Sequence, residues 1–361
     1  MISLFKVRMA DEAVTAVADV LRSGQIAQGP VVEAFERDLQ EALGDSNLLT
    51  LNSGTSALHL AYHLIGLDAL DTVIVSPMTC FATIAPLVHL GAAIEWADVD
   101  PTTGLIDPAS VERSALLLET RAIVAIDWAG TRCDYAALRA AAPNIPIVED
   151  AAHAFGSSGD ADYVCFSFQA IKHLTCGDGG AIVVPADQLD RARLLRWFGL
   201  DRRSKVDFRA GQDIAEAGFK FHMNDLAAAI GRANLPVAID GVELHRQNAR
   251  RMWTAIANEI ARSGNDRVEL PPLATERSSY WFFPILVADR AGFQAFMRER
   301  AIETSQVHRR CDEHSCVARF RRSLPGLDRF AARQLALPCG AWLNDLDLEQ
   351  IVDATLAWMR R

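Results

Sequence analysis

The sequence predicts an α/β protein built on a mostly parallel, doubly wound sheet, and two observations support this prediction. Seven apolar runs rich in strand-forming residues occur in the N-terminal half, and helical patterns separate several of them. Half of the 361 residues are hydrophobic, so the chain can cover such a sheet on both faces.

Each predicted strand is a short apolar run. The seven runs are Leu48–Leu51, Thr72–Ser76, Ala93–Ala97, Ala122–Asp127, Ile145–Glu149, Tyr163–Ser167 and Ala181–Val184. The helical patterns after the first, second and fourth runs are Ala57–Ile65, Cys80–Leu90 and Tyr135–Ala142. Strands that alternate with helices pair in parallel, and catalytic groups in such sheets lie beyond the carboxyl ends of the strands.

The composition changes near Val237, and we predict a second, smaller α/β domain from there. The large domain then comprises residues 1–236 and the small C-terminal domain residues 237–361. The elements predicted in the small domain are a helix at Val242–Arg262, a strand at Tyr280–Val287, a helix at Arg290–Arg300 and a final helix at Asp347–Arg361. Two candidate N-cap residues, Asn344 and Asp345, precede the final helix.

The charge balance excludes several classes of partner. The chain has 36 Lys plus Arg against 46 Asp plus Glu, a formal net charge of −10, and it shows no basic cluster of the kind that nucleic-acid binding requires. No apolar stretch is long enough for a membrane span, and residues 1–8 lack the apolar core of a signal peptide. We therefore expect a soluble, cytoplasmic protein with no nucleic-acid or membrane partner.

The seven cysteines are odd in number and scattered along the chain, which favours reduced thiols over a disulfide framework. Cys311 and Cys316 lie near His308 and His314, but their spacing matches no zinc pattern. No metal site is expected.

A first candidate site is the segment from Asn52 to Ser56, which follows a predicted strand and opens a predicted helix. Gly54 lets the backbone approach an anion, while Thr55, Ser56 and the helix N-terminus donate hydrogen bonds to it. The segment matches neither the Walker motif nor the dinucleotide fingerprint. An ordinary N-cap turn remains the alternative interpretation.

A second candidate is Asp150, at the end of the fifth apolar run, with His153 three residues later. A carboxylate at this place can keep the ring nitrogen of a heteroaromatic cofactor protonated, and His153 can donate to a ring oxygen. The alternative is that Asp150 caps a helix and His153 is an interior histidine with satisfied hydrogen bonds.

A third candidate is Lys172, in a polar, glycine-rich turn five residues after Ser167. The chain has four lysines, Lys6, Lys172, Lys205 and Lys220, so nearly all of its positive charge is arginine, which does not act as a nucleophile. We interpret Lys6 and Lys205 as surface charges. Lys172 has the surroundings to form a Schiff base with an aldehyde, unless it is an idle charge in a surface loop.

Phosphate donors, a pyridinium partner and an imine-forming lysine are together the parts of a pyridoxal phosphate site. With these motifs the chain resembles the DegT/DnrJ/EryC1/StrS sugar aminotransferases, which are fold-type I pyridoxal phosphate enzymes with an aspartate aminotransferase-like fold. The matching stretches are Ser23–Pro30, Leu51–Leu58, Glu149–Gly156, Phe166–Phe168 with Lys172, Gly177–Gly180, Gly218–Asp225 and Leu337–Gly340.

The resemblance implies a role for each site residue. Lys172 binds the cofactor and moves the proton between cofactor and substrate, Asp150 pairs with the pyridine nitrogen, and His153 lies near the phenolic oxygen of the ring. The phosphate is held by Thr55, Ser56 and Ser167.

The resemblance also implies a homodimer with composite active sites, because a residue from the partner subunit completes the phosphate site. This chain has Lys220 where the family commonly has asparagine, and a lysine can bind phosphate as a point charge. Counting from Pro77 makes Phe81 the favoured residue to stack on the cofactor ring, whereas a shift of one residue would bring Cys80 there.

The activity that the resemblance implies is transfer of an amino group from glutamate, through pyridoxamine phosphate, to a keto sugar. The acceptor is expected to be a nucleotide-linked keto-deoxysugar used for cell-surface polysaccharide such as lipopolysaccharide, or for secondary metabolites, with His308 and Arg309 as candidate acceptor-binding residues. Alternatives are a non-nucleotide keto sugar such as a keto-octulosonate, a non-catalytic regulatory homologue, a different fold-type I activity such as a lyase or racemase, and a sugar dehydratase. The dehydratase would need a histidine in place of the lysine.

Overall fold

The predicted large sheet is present in the computed structural model, which describes residues 1–156, 160–203, 210–274 and 276–361. Each strand lies within two residues of its predicted bounds. The strands are β1 (Leu48–Leu51), β2 (Thr72–Val75), β3 (Ala93–Trp96), β4 (Thr120–Ile126), β5 (Ile147–Asp150), β6 (Tyr163–Ser167) and β7 (Gly180–Val183). Lys205, interpreted above as a surface charge, lies outside the described residues.

The strand order is β1-β7-β6-β5-β4-β2-β3. Strand β7 pairs antiparallel with both of its neighbours, and the pairs from β6 to β3 are parallel. Strands β1 to β6 therefore run in one direction, and their carboxyl ends meet at one edge of the sheet. This edge brings the residues that follow β1, β5 and β6 close together.

Helices cover both faces of this sheet. Those of the large domain and its connections are α1 (Glu12–Ser23), α2 (Pro30–Leu43), α3 (Gly54–Ile65), α4 (Phe81–Leu90), α5 (Pro108–Leu117), α6 (Tyr135–Ala141) and α7 (Leu189–Leu195). On β4, Ala122 and Val124 pack in the cluster that contains α3, whereas Ile123 and Ala125 pack in the cluster of α5 and α6. Alternate residues of one strand are thus buried on opposite faces, which explains its continuous apolar run.

The C-terminal part contains a three-stranded antiparallel sheet in the order β10-β9-β8. Its elements are α8 (Asp225–Ser263), β8 (Val268–Glu269), β9 (Phe283–Val287), α9 (Arg290–Glu299), α10 (Pro325–Arg333), β10 (Gln334–Leu337) and α11 (Asp345–Met359). Asn344 is the N-cap of α11, because its side chain accepts from the Asp347 amide while the Asp347 carboxylate accepts from the Asn344 amide.

Helix α8 begins at Asp225, well before the predicted start at Val242. Asn224 caps it by accepting from the Ala227 amide at 2.9 Å, and the helix continues through Pro236. It packs against α1 and α2 of the large domain and against α11 of the C-terminal part. The predicted division between residues 236 and 237 falls inside this helix and stays a prediction.

The residues that the structure describes contain no helix that is both long and apolar enough to cross a membrane. Within the same residues, no group of three or more His, Cys, Asp or Glu side chains is arranged to hold a metal ion.

Candidate active site

A cavity of about 340 Å³ opens at the carboxyl edge of the large sheet. Its walls come from the end of β5, the loop between β6 and β7, the start of α3, and two residues of the C-terminal part. The sequence-predicted site residues that line it are Gly54, Thr55, Cys80, Asp150, His153, Ser167, Lys172 and His308. The fold therefore brings together most of the residues that the motifs singled out.

Asp150 is the last residue of β5 and is buried at the cavity floor. Its Oδ2 accepts a hydrogen bond from the Thr83 hydroxyl at 2.7 Å, and its Oδ1 accepts from the Ala152 amide at 3.1 Å. Burial raises the pKa of this carboxyl, while the bonds from Thr83 and Ala152 and the charge of Lys172 act in the opposite direction. The two donors hold the carboxylate in one orientation, facing the cavity.

Lys172 projects into the cavity from the loop that follows β6. Gln169 shapes this loop, because its backbone oxygen accepts from the Lys172 amide at 2.9 Å and its side-chain Oε1 accepts from the Ile171 amide at 3.1 Å. Loss of hydration lowers the pKa of Lys172 to about 7, against the raising effect of Asp150 and Cys80. A large share of the amine is therefore neutral near neutral pH, as a nucleophile must be.

Three aromatic rings form one wall of the cavity. The His153 ring stacks on Trp281 with centroids 4.0 Å apart, and His308 lies parallel to His153 at 5.7 Å. Burial lowers the pKa of His153 well below its usual value and that of His308 to about 4, and the charge of Lys172 adds to both shifts. Both imidazoles are therefore neutral at physiological pH and offer hydrogen bonds without charge.

The start of α3 forms the opposite end of the cavity. Ser53 is the N-cap, and its side chain accepts from the Ser56 amide at 3.1 Å. A Cβ added at Gly54 would lie 2.8 Å from Cβ of Ser167, so only glycine allows β6 to pass this close. Thr55 and Ser167 line the cavity here, whereas Ser56 is buried beneath it and its hydroxyl donates to Asn52.

Besides Ser56, three predicted residues do not line the cavity, namely Phe81, Arg309 and Lys220. Phe81, favoured for stacking on the cofactor ring, is the first residue of α4, is 39% exposed and meets His314 edge-on at 5.2 Å. Cys80 lies at the cavity wall instead. Which of the two residues packs against the cofactor ring stays a prediction. The Arg309 guanidinium is exposed, and its Nε donates to Glu313 at 2.8 Å.

Lys220 is also exposed and lies outside the cavity. Its backbone runs beside the end of β1, where the Asn52 side chain donates to the Lys220 oxygen at 3.2 Å and the Asn52 amide donates to Phe221 at 2.7 Å. The lysine side chain is therefore presented on the surface near the phosphate end of the cavity.

The structure adds two residues that the motifs did not indicate. Thr83 lies one helical turn after Thr79, their hydroxyls are 2.6 Å apart, and Thr83 donates to Asp150. Trp281 packs against Lys172, with Nζ 3.5 Å from the centroid of the ring. The threonine spacing was visible in the sequence, whereas nothing local to Trp281 linked it to Lys172.

The position of His173 argues against the dehydratase alternative. Its Nε2 lies 3.1 Å from the backbone oxygen of Ser279, and its ring packs against His245 at 4.7 Å. Lys172, and not His173, lines the cavity.

These residues fit pyridoxal phosphate. The start of α3, with Gly54 held close to Ser167, leaves space and donors for a phosphate. Asp150 faces the cavity as a partner for a protonated ring nitrogen, and Lys172 supplies the amine. Nδ1 of His153 is buried without a hydrogen-bond partner among the described residues, so this edge of the cavity has an unused polar atom for a ring substituent.

Comparison with known proteins supports the same assignment. The model of the DegT/DnrJ/EryC1/StrS aminotransferase family matches residues 7–356. The structure of AtS13 from Actinomadura melliaura is 38% identical with a TM-score of 0.92, and the match covers 99% of this chain and 98% of that one. The sugar aminotransferase CalS13 from Micromonospora echinospora is 35% identical with a TM-score of 0.91, and the match covers 99% of this chain and 100% of that one.

The aminotransferase TlmJ from Streptoalloteichus hindustanus is more distant, at 27% identity and a TM-score of 0.89, with 100% of this chain and 99% of that one covered. These matches confirm the resemblance that the motifs predicted, including the fold and the cofactor. The chain belongs to the DegT/DnrJ/EryC1/StrS aminotransferase family, and it is a pyridoxal phosphate-dependent sugar aminotransferase of fold type I.

Proposed function

We propose that this sugar aminotransferase takes its amino group from glutamate and transfers it to a nucleotide-linked keto-deoxysugar. The observation that carries the proposal is that Lys172 and Asp150 line one cavity, with Asp150 buried and Lys172 half-buried against Trp281. The family supplies the amino-donor and keto-sugar chemistry. The proposal adds to the family's activity the identity of the donor, glutamate, and a nucleotide on the acceptor sugar.

The cofactor, when bound, carries the amino group between the two substrates and withdraws electrons from the carbon that loses a proton. The start of α3 with Thr55 and Ser167 would hold its phosphate, and Asp150 would keep its ring nitrogen protonated. Lys172 Nζ takes the proton from the amino-bearing carbon of the donor and later returns a proton to the former carbonyl carbon of the acceptor. With a pKa of about 7, Lys172 can act in both directions near neutral pH.

The walls of the cavity suit a sugar ring. Neutral His153 and His308 can exchange hydrogen bonds with hydroxyl groups, and the Trp281 face offers an apolar surface. A nucleotide would extend from the cavity toward the exposed Arg309, which follows His308 in the chain. We assign His308 to the sugar and Arg309 to the phosphates of the nucleotide.

We further propose that the enzyme is a homodimer, in which Lys220 reaches the phosphate site of the partner subunit. Its exposure, and the position of its backbone beside the phosphate end of the cavity, support this role. We propose a cytoplasmic enzyme of cell-surface polysaccharide or secondary-metabolite biosynthesis, since both processes consume activated amino sugars.

The donor is tested by a half-reaction. Purified enzyme loaded with pyridoxal phosphate should lose the visible absorbance of the aldehyde form when glutamate alone is added, and release one 2-oxoglutarate per site. Lys172→Ala is the control and should show neither change while it retains its fold. An unchanged spectrum with glutamate would overturn the donor assignment, and release of another product from the amino acid alone would indicate a lyase or racemase.

The acceptor is tested on the enzyme in its amine form. Nucleotide-linked keto-deoxysugars should restore the aldehyde absorbance, and Arg309→Ala should raise KM for them more than it lowers kcat. If only sugars without a nucleotide restore the absorbance, the non-nucleotide alternative is correct.

A further inference from the structure

Trp281 has a relation to Lys172 that the transamination chemistry does not require. The Nζ atom of Lys172 lies 3.5 Å from the centroid of the Trp281 ring. An ammonium at this distance over an indole is attracted by the negative face of the ring, and tryptophan gives the strongest such interaction among the aromatic residues. The contact joins the loop after β6 to a residue just before β9.

Trp281 is held rigidly in this position. Its indole Nε1 donates to the Ile171 oxygen at 2.9 Å, and its amide donates to the Ala129 oxygen at 2.9 Å. Phe5 and His153 stack against the indole at 4.5 and 4.0 Å. The ring is 2% exposed, so it is a fixed surface against which a flexible lysine can rest.

The backbone on either side of this contact is strained. Tyr280 has a φ of 47° and Ala129, which accepts from the Trp281 amide, has a φ of 59°. Residues with a Cβ rarely adopt this conformation, and such strain persists where surrounding contacts fix the structure.

The other groups that face the Lys172 amine determine how its charge is balanced. Asp150 and Cys80 favour the charged form, and His153, His173 and His308 lie near it as imidazoles whose own pKa values are lowered. Asp150 is the one carboxylate among the groups that shift this amine. Since the ring nitrogen of the cofactor would engage Asp150, the Trp281 face is a further source of stabilisation for the ammonium.

We propose that Trp281 is a positioning residue whose ring face holds the amine of Lys172 whenever that amine is not bonded to the cofactor. The lysine is free in this sense during the half of the cycle in which the cofactor carries the amino group. Docking on Trp281 keeps Nζ at the cavity wall, from which it can move its proton and rejoin the cofactor. The proposal needs only a free Lys172 amine and does not depend on glutamate or on the identity of the sugar.

The first test locates the amine by NMR. The full chain, loaded with pyridoxamine phosphate, is prepared with lysine labelled with ¹³C at Cε, which gives at most four signals because the sequence has four lysines. The Lys172 signal, identified by its loss in Lys172→Arg, should be shifted upfield by the ring current of Trp281. Trp281→Leu should abolish this shift and Trp281→Phe should retain part of it, while the Lys220 signal stays unchanged.

The second test keeps the shape of the ring, so that a folding defect in Trp281→Leu cannot obscure the result. Tryptophan analogues with increasing numbers of fluorine atoms are placed at position 281, which weakens the negative face stepwise. The pKa of Lys172 in the pyridoxamine phosphate form should fall in step, by about one unit over the series, because the charged amine loses its stabilisation. A Lys172 signal without an upfield shift would overturn the proposal, and so would a Lys172 pKa that stays constant across the fluorinated series. Neither outcome depends on the identity of the amino donor.

Discussion

Two neighbouring carboxyl groups on β5, Glu149 and Asp150, lie on opposite faces of the sheet and in different surroundings. Successive residues of a strand face opposite sides of the sheet, so the two side chains enter different environments although one peptide bond joins them. Asp150 faces the cavity. Glu149 faces the interior of the protein near Asp127, and the side chains of Glu149 and Asp127 are both fully buried.

The partners of the two groups differ as much as their surroundings. Asp150 accepts hydrogen bonds from Thr83 and Ala152 and lies near the positive charge of Lys172, all of which favour the ionised form. Glu149 lies within hydrogen-bonding reach of Asp127, and burial and that second carboxylate raise its pKa well above the usual value.

Burial and the neighbouring carboxyl group of Asp127 therefore favour the protonated form of Glu149. Asp127 in turn accepts from the Cys133 amide at 2.9 Å and the Tyr135 hydroxyl at 2.8 Å. Burial raises the pKa of both groups, but hydrogen-bond donors and Lys172 oppose the shift at Asp150, whereas a second carboxyl group adds to it at Glu149. A buried carboxyl group can serve as a functional site when such donors favour its ionised form beside an open cavity. Without them it becomes a neutral structural group.

The comparison is tested most strongly by removing the charge at each position in turn. Asp150→Asn should lower kcat of transamination by about 10²- to 10³-fold, because the ring nitrogen loses the carboxylate that keeps it protonated. The urea midpoint of the loaded protein should change little. Steady-state kinetics and equilibrium unfolding measure the two effects.

Glu149→Gln is the matched control, since it changes the adjacent residue by the same few atoms. Its amide is neutral and has nearly the shape of a protonated carboxyl group, and the side chain faces away from the cavity, so kcat should stay close to that of the wild type. Equal losses of kcat in the two variants would show that Asp150 and Glu149 do not differ in their importance for catalysis.

The second prediction concerns stability against pH. Glu149 binds its proton more tightly in the folded than in the unfolded protein, so stability is lost as the pH rises above the ordinary glutamate value toward the folded pKa. The contribution is about 1.4 kcal/mol per pH unit within that window. Glu149→Gln should remove this slope, and urea unfolding between about pH 5 and pH 8 measures it.

The exposed Glu349 provides the reference for that measurement. Glu349→Gln should keep the wild-type dependence of the unfolding free energy on pH. If Glu149→Gln also keeps it, the raised pKa assigned to Glu149 is wrong.

Much of the fold could be predicted from the sequence because its determinants are local. Each strand of the large sheet is an apolar run buried on both faces, and Asn344 signals the start of α11 by its side-chain chemistry. The early start of α8 at Asp225 was missed, because Pro236 interrupts the pattern that the apolar residues would otherwise show. Packing against α1 and α2 stabilises that first part of the helix.

The site was predictable only where a single segment carries the chemistry. Lys172, Asp150 and Gly54 each lie at the end of a strand, and parallel pairing brings strand ends together. Trp281 reaches Lys172 through tertiary packing, which no local spacing reveals. The count from Pro77 favours Phe81 for the cofactor ring, whereas in the structure Phe81 lies at the start of α4 and contacts His314.

The finest test of the comparison changes a donor to Asp150 and leaves the carboxylate in place. Thr83→Val removes the hydroxyl that donates to Oδ2 at 2.7 Å, so the ionised carboxylate loses about 1 kcal/mol of stabilisation, which corresponds to about a fivefold fall in kcat. The pKa of Asp150 should rise further, since the Thr83 bond lowers it, and the acidic limb of the pH–rate profile should move to higher pH. Thr83→Ser retains the hydroxyl and should restore both values. A profile that does not move in Thr83→Val would mean that this hydrogen bond does not maintain the ionised state of Asp150.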